Sequence, residues 1–347
     1  MISIPDFNQL PLAGNAALFA AAAAVIGVSG WFLAAAANRL ADRTGLGEAV
    51  AGAIFLGATT SLPGSITSLT AAIDGRAAFA VSNGLGGIAA QTAFIAIADI
   101  SYRRANLEHA AASLPNIMQG SLLVVMLAMI ALAIAAPPFT VAGVHPVSVT
   151  LVVGYLVGLK LVHRVHRKPM WTPRSTKETR HDEPEPEAEQ QALAPLIGRF
   201  AALAVTVGVA GWLIARTGLA LAAQTGLSDS AVGGVLTALS TSLPELVTAL
   251  AAVRQGALTL AVGDIIGGNV FDTLFVAIAD IAYRGGSVLH ADGLGSITLI
   301  TSAALLQTGI LLVALLHRQQ RGLANVGVDS MLMMGIYLGL VLLLFNS

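Results

Sequence analysis

Residues Thr44 to Arg103 return 181 positions later as Thr225 to Arg284, with 25 identities in 60 aligned positions. Thr60-Ser61-Leu62-Pro63 recurs as Thr241-Ser242-Leu243-Pro244, Gly86-Gly87 as Gly267-Gly268, and Ile97-Ala98-Asp99-Ile100 as Ile278-Ala279-Asp280-Ile281, all in one register (241 − 60 = 267 − 86 = 278 − 97 = 181). Gly30-Trp31 against Gly211-Trp212 lies upstream on the same offset. Chance repetition of alanine and leucine does not place these motifs in one register. The chain therefore carries one long internal duplication.

The solvent for this chain is a bilayer. Of 347 residues 56% are hydrophobic and 11% are charged, with a mean hydropathy of +0.79, whereas a soluble domain carries about 25% charge. Runs such as Leu10 to Ala37 and Ile117 to Ala136 reach the roughly 20 residues that cross a bilayer as a helix, and they are too numerous to be a signal peptide. Apolar stretches between charged or Gly/Pro-rich breaks predict ten spans: 12–38, 46–73, 77–101, 113–136, 145–163, 194–216, 228–253, 257–282, 293–316 and 326–345. The fold expected is an all-α polytopic membrane protein, with a first membrane repeat over 1–163, a charged linker over 164–193 and a second repeat over 194–347. Arg167-Lys168-Pro169 and Pro184-Glu185-Pro186-Glu187 give the linker a composition that buries no core.

Five spans per copy is an odd number, so the second copy must enter the membrane upside down relative to the first. Cationic loops stay on the cytoplasmic side. With the linker inside, 15 of the 18 Lys and Arg fall inside and only Arg76, Arg216 and Arg284 fall outside. Both termini are then expected outside, in the cell (inner) membrane. Inverted repeats of this kind build secondary transporters, whose sites lie near the midplane where the repeats meet.

Pro63 and Pro244 fall mid-span, where proline removes a backbone donor and breaks or kinks the helix. Carbonyls freed there, with the hydroxyls of Thr60, Ser61, Thr241 and Ser242, are candidate oxygen ligands. Glu245 follows the second proline, and a carboxylate at that depth costs at least ~2.5–3.5 kcal/mol unless it is paired, protonated or bound to a cation. In the next span Gly267-Gly268 permits close helix approach and local unwinding, while Asn269 and Asp272 are three apart and share a helical face. Such an all-oxygen set suits hard cations, Ca²⁺, Mg²⁺ or Na⁺. Other chemistries are disfavoured: the chain has no cysteine, its seven histidines form no HExxH pair, and a net charge of −1 offers nothing to a nucleic acid. An enzyme is not expected, and neither is a resident cofactor; the expected partners are inorganic cations and lipid, with the oligomeric state left open.

Thr-Ser-Leu-Pro-Glu in one span followed by Gly-Gly-Asn-x-x-Asp in the next resembles the α-repeats of the cation/Ca²⁺ exchanger superfamily, which includes Na⁺/Ca²⁺ and H⁺/Ca²⁺ antiporters. The resemblance implies ten helices in two inverted halves and exchange by alternating access. It also implies that Thr241, Ser242, Glu245 and Asp272 ligate a cation from the second repeat, that Thr60 and Ser61 do so from the first, and that Gln91 holds the place of an Asn or Asp. The chain departs from the pattern: in the first copy Gly64 replaces a glutamate and Ile88 an asparagine, and in both copies a glycine, Gly87 and Gly268, stands where serine is common. Ca²⁺ against Na⁺ or H⁺ is the exchange implied, with a monovalent exchanger or a non-transporting scaffold or sensor as alternatives and a channel disfavoured. Gly64→Glu is expected to tighten divalent binding.

Three further acids have plainer readings. Asp99 and Asp280 each precede an arginine by four residues (Arg103, Arg284), which predicts structural i,i+4 pairing. Asp264 aligns with Asn83, and the pair mark either the edge of the site or a solvated helix end.

Overall fold

The computed structural model describes residues 6–44, 57–102, 104–174, 193–322 and 326–346. Its long helices are α1 (Leu12–Thr44), α2 (Leu62–Ile73), α3 (Ala77–Ser101), α4 (Leu114–Ala135), α5 (Pro146–Arg167), α6 (Leu193–Thr225), α7 (Asp229–Thr241 and Leu243–Gln255), α8 (Leu258–Ala282), α9 (Leu294–His317) and α10 (Val328–Phe345). Among the described residues eight are long and apolar enough to span a membrane, and α7 makes a ninth as a pair bent by 41°. The first part of the predicted second span, 46–56, lies outside the described residues, as do 175–192 of the linker. From Gly57 onward the second span is helical through Thr60, turns at Ser61 and resumes as α2.

Both prolines do what their chemistry requires. Pro63 and Pro244 sit in the first turn of a restarted helix, where a missing N–H costs nothing. A π-helical turn over Val232–Thr237 lies just ahead of the α7 break, the kind of irregularity that gathers at functional sites. The paired glycines behave differently from expectation. Helix α8 runs unbroken through Gly267-Gly268 and interrupts only after Asp272, at Thr273. The glycines serve close approach alone: a Cβ on Gly57 would stand 3.4 Å from the Gly268 backbone.

Inversion is written into reciprocal contacts. A Cβ on Gly30 of α1 would meet Pro244 at 2.4 Å, and one on Gly211 of α6 would meet the Pro63 carbonyl at 2.5 Å. Both residues of each pair shift by the repeat offset (211 − 30 = 244 − 63 = 181), so each half's first helix lies against the other half's broken helix. Helices α3 and α8 are the most enclosed spans, whereas α1 and α6 are far more exposed. Val28, Trp31 and Phe32 on α1 and Val205 and Val209 on α6 face outward, as lipid-facing side chains do.

Asp99 and Asp280 are structural, by a different device from ion pairing. Asp280 accepts from the backbone N–H groups of Val288 (3.0 Å) and His145 (2.7 Å) and from the hydroxyls of Ser148 and Ser287. Asp99 accepts from the N–H groups of Leu107 and Gly327, each at 2.7 Å. Each acid ties its own half's next loop to the start of the other half's last helix. The predicted partner of Asp99, Arg103, lies outside the described residues. Four donors on one carboxylate are worth more than a snorkelling arginine at a wet interface.

Candidate cation site

The two broken helices and the enclosed pair α3 and α8 bring the conserved offsets together. Gln91 on α3 and Asp272 on α8 are repeat equivalents (272 − 91 = 181), and the Gln91 amide donates to Asp272 Oδ2 at 2.7 Å and to Ser242 Oγ at 3.2 Å. Ser61, the equivalent of Ser242, donates to Glu245 Oε1 at 3.5 Å and also reaches the Asp272 carboxylate. A pseudo-twofold axis therefore passes between these groups, and residues from both halves meet across it.

Every predicted residue is buried there. Glu245 is 1% exposed, and Thr60, Ser61, Gln91, Thr241, Ser242, Asn269 and Asp272 are likewise enclosed. The two threonines bond back to their own helices, Thr60 to the Gly57 carbonyl at 3.1 Å and Thr241 to that of Thr237 at 2.9 Å, a habit of mid-helix hydroxyls; Thr60 also meets the Glu245 carboxyl. Asn269 turns its amide nitrogen to Thr92 Oγ1 at 3.0 Å rather than toward Asp272. Four oxygens of this set, Glu245 Oε2, Asp272 Oδ1, Asn269 Oδ1 and Gln91 Oε1, have no donor. Buried acceptors without donors each cost ~1–3 kcal/mol. Neither carboxylate forms an ion pair among the described residues, and no three His, Asp or Glu converge there to cage a metal. Four electron-rich atoms and two uncompensated acids are what a bare cation, or a proton, would satisfy.

The departures from the family pattern acquire a physical meaning. A Cβ on Gly87 would stand 3.4 Å from Ser242 Oγ and 3.6 Å from Asp272 Oδ2, and one on Gly268 3.4 Å from Gln91 Oε1, so a serine at either place would enter this cluster. Gly64 is different. A Cβ there would lie 2.7 Å from Cε2 of Phe275 and 3.5 Å from Thr241 Oγ1. The Phe275 ring edge stands where a side chain on Gly64 would begin, and it is braced edge-on by Phe271, with Tyr155 edge-on beyond it. A glutamate at Gly64 would have to displace the Phe275 ring, so the tighter divalent binding expected of Gly64→Glu requires that ring to move. Nothing in the sequence marks Phe275 for this. Gln119 of α4 is a second neighbour that sequence reading does not select, about 3.8 Å from the Cβ position of Gly267, with its Oε1 unpartnered.

An inverted-repeat bundle with broken helices meeting at a buried oxygen cluster is an architecture found among secondary transporters. The model of the sodium/calcium exchanger protein family matches residues 14–162 and 195–346, and the chain belongs to that family of membrane cation exchangers. A putative antiporter CaxA from Alkalimonas amylolytica is 31% identical over 135 residues, 39% of this chain and 41% of that protein. Inner membrane protein YrbG of Escherichia coli K12 is 39% identical over 72 residues, 21% of this chain and 22% of that protein. The matched stretches thus span less than half the length of these relatives. Among solved structures, native YfkE has a TM-score of 0.63 at 14% identity over 95% of this chain and 92% of its own, and an H⁺/Ca²⁺ exchanger CAX a TM-score of 0.63 at 12% identity over 96% and 88%. The sodium-calcium exchanger NCX_Mj reaches 0.60 at 18% identity over 96% and 98%. These likenesses give the fold.

Proposed function

We propose that the chain exchanges Ca²⁺ for Na⁺ or H⁺ by alternating access around one central site. Glu245 and Asp272 would supply the charge, and Ser61, Ser242, Thr60, Thr241, Gln91 and Asn269 neutral oxygens. The observation that carries this reading is the set of four donor-less buried oxygens contributed by both halves. Two carboxylates neutralise one Ca²⁺, and carboxylates with hydroxyl and amide oxygens match its preference for six to eight hard ligands. A monovalent cation is the second reading, favoured by the glycine at position 64, which leaves the first repeat without a carboxylate there and with the Phe275 ring against its backbone. In the membrane the linker would lie in the cytoplasm and both termini outside.

Flux tests it. Proteoliposomes loaded with Na⁺, and separately with an imposed pH gradient, should accumulate ⁴⁵Ca²⁺ in one of the two arms, and Glu245→Gln should abolish that uptake. Uptake of ²²Na⁺ driven by pH without any Ca²⁺ movement would favour the monovalent reading. Absence of gradient-driven movement of either cation would refute transport.

A further inference from the structure

One buried acid lies outside the central cluster. Asp264 is six residues into α8 and eight before Asp272, about 9 Å from the start of the helix and 12 Å from the cluster by helical rise. It is 3% exposed. Its Oδ2 accepts from Thr248 Oγ1 at 3.0 Å, and the same hydroxyl bonds the Glu245 carbonyl at 3.1 Å, so Asp264 is coupled directly to the turn that bears Glu245. Its Oδ1 has no donor.

The repeat equivalent, Asn83, shows what a purely structural residue does at this place. Its amide donates to the Gly64 carbonyl at 3.0 Å and Ser68 Oγ at 2.9 Å, and its oxygen accepts from Thr237 at 2.8 Å. As a carboxylate Asp264 cannot donate, and it accepts one bond, so for packing alone the amide is the better residue. The two positions also lie on opposite sides of the site. Five spans, α3 to α7, separate the α2–α3 turn at Gly75 from the α7–α8 turn at Gly256, which places these turns on opposite membrane faces. Asn83 lies between the cluster and the Gly75 face; Asp264 lies between the cluster and the Gly256 face.

We propose that Asp264 is a staging ligand for the transported cation on the Gly256 side alone, taking it on Oδ1 before it passes to Glu245 and Asp272. Among the described residues the Gly75 side has no matching buried, unpaired acid: Asn83 takes the equivalent place, and Asp74 and Asp229 pair with arginines. The inference rests on the cation-exchange reading above. It differs from a third central ligand because no three acids converge on one point among the described residues. A fixed negative charge along one approach concentrates cations there and raises entry rates by about tenfold or more.

The test is sided ⁴⁵Ca²⁺ exchange in right-side-out and inside-out membrane vesicles. Because the chain has no cysteine, a Gln255→Cys background labelled with an impermeant maleimide assigns the Gly256 face in each preparation. Asp264→Asn should raise half-saturating Ca²⁺ about tenfold at that face, leaving the Gly75 face and the maximal rate within about twofold. Asp264→Glu should restore the value. Equal shifts at both faces, or none, would overturn the staging role while leaving exchange itself standing; loss of exchange in the parent protein would overturn both. If Asp264→Asn fails to fold, Thr248→Val, which frees Asp264 from its neighbour, must still shift only the Gly256 face.

Discussion

At Gly64 the backbone leaves a gap that a neighbouring ring fills, and this one contact governs what the site can become. Gly64→Glu alone should overpack against Phe275 and lower stability by ~1–3 kcal/mol, read as a fall in the thermal midpoint. With Phe275→Ala alongside, the carboxylate gains room, and ⁴⁵Ca²⁺ equilibrium binding should tighten about tenfold or more; unchanged affinity in the double variant would show that Gly64 does not face the ion. Gly87→Ser, by contrast, enters at ordinary contact distance from Ser242 and Asp272 and should be tolerated. The oxygen cluster was legible in the sequence because Gln91 with Asp272, and Ser61 with Ser242, share one offset, and an inverted duplication brings equal offsets to one axis. Phe275 was not legible. Which side chain fills a deleted one depends on rotamers and neighbours in three dimensions, and sequence carries no marker of it.

Helices meet here through small residues, so the elements are sensitive to single carbons. Gly30→Ala or Gly211→Ala would drive a methyl group into Pro244 or into the Pro63 backbone. Each should cost ~1–3 kcal/mol, measured by thermal unfolding in detergent, and the two costs should be alike because the contacts are related by the repeat. The turn between α3 and α4 has no such twin, since the equivalent of Glu108 is Leu289. Burial, then the nearby Asp99 charge, push the Glu108 carboxyl up to about 7, against a hydrogen bond from Ser330. A carboxyl whose pKa is higher folded than unfolded supports the fold below its ordinary value near 4.5 and loses that support as pH rises to about 7. The wild-type melting midpoint should therefore fall between pH 5 and 7 more steeply than that of Glu108→Gln; parallel curves would contradict this. Helix existence and order were legible from apolar runs. The unbroken course of α8 through Gly267-Gly268 was not, because glycine permits unwinding without compelling it, and packing against Gly57 keeps the helix closed.

Across the whole molecule the two halves are alike in fold and unlike in charge. On the Gly75 face Arg76 pairs with Asp229 and Arg216 with Asp74, and both pairs join the first half to the second around a pocket of about 260 Å³. The equivalents of Asp74, Arg76 and Arg216 are Gln255, Ala257 and Ala35, which cannot form such a latch. Partly exposed pairs contribute about 0.2–1 kcal/mol each, so Arg216→Gln with Asp229→Asn should shift the opening equilibrium at this face a few-fold. A Ser82→Cys reporter should then react faster with a thiol reagent, and high salt should bring the parent toward the variant. The most direct test of a shared cation site is equilibrium ⁴⁵Ca²⁺ binding to purified protein, free of Na⁺. Parent protein should bind one Ca²⁺ per chain, and Glu245→Gln and Asp272→Asn should each lose it while their cation-free melting midpoints hold or rise; wild-type binding in either variant would contradict the account.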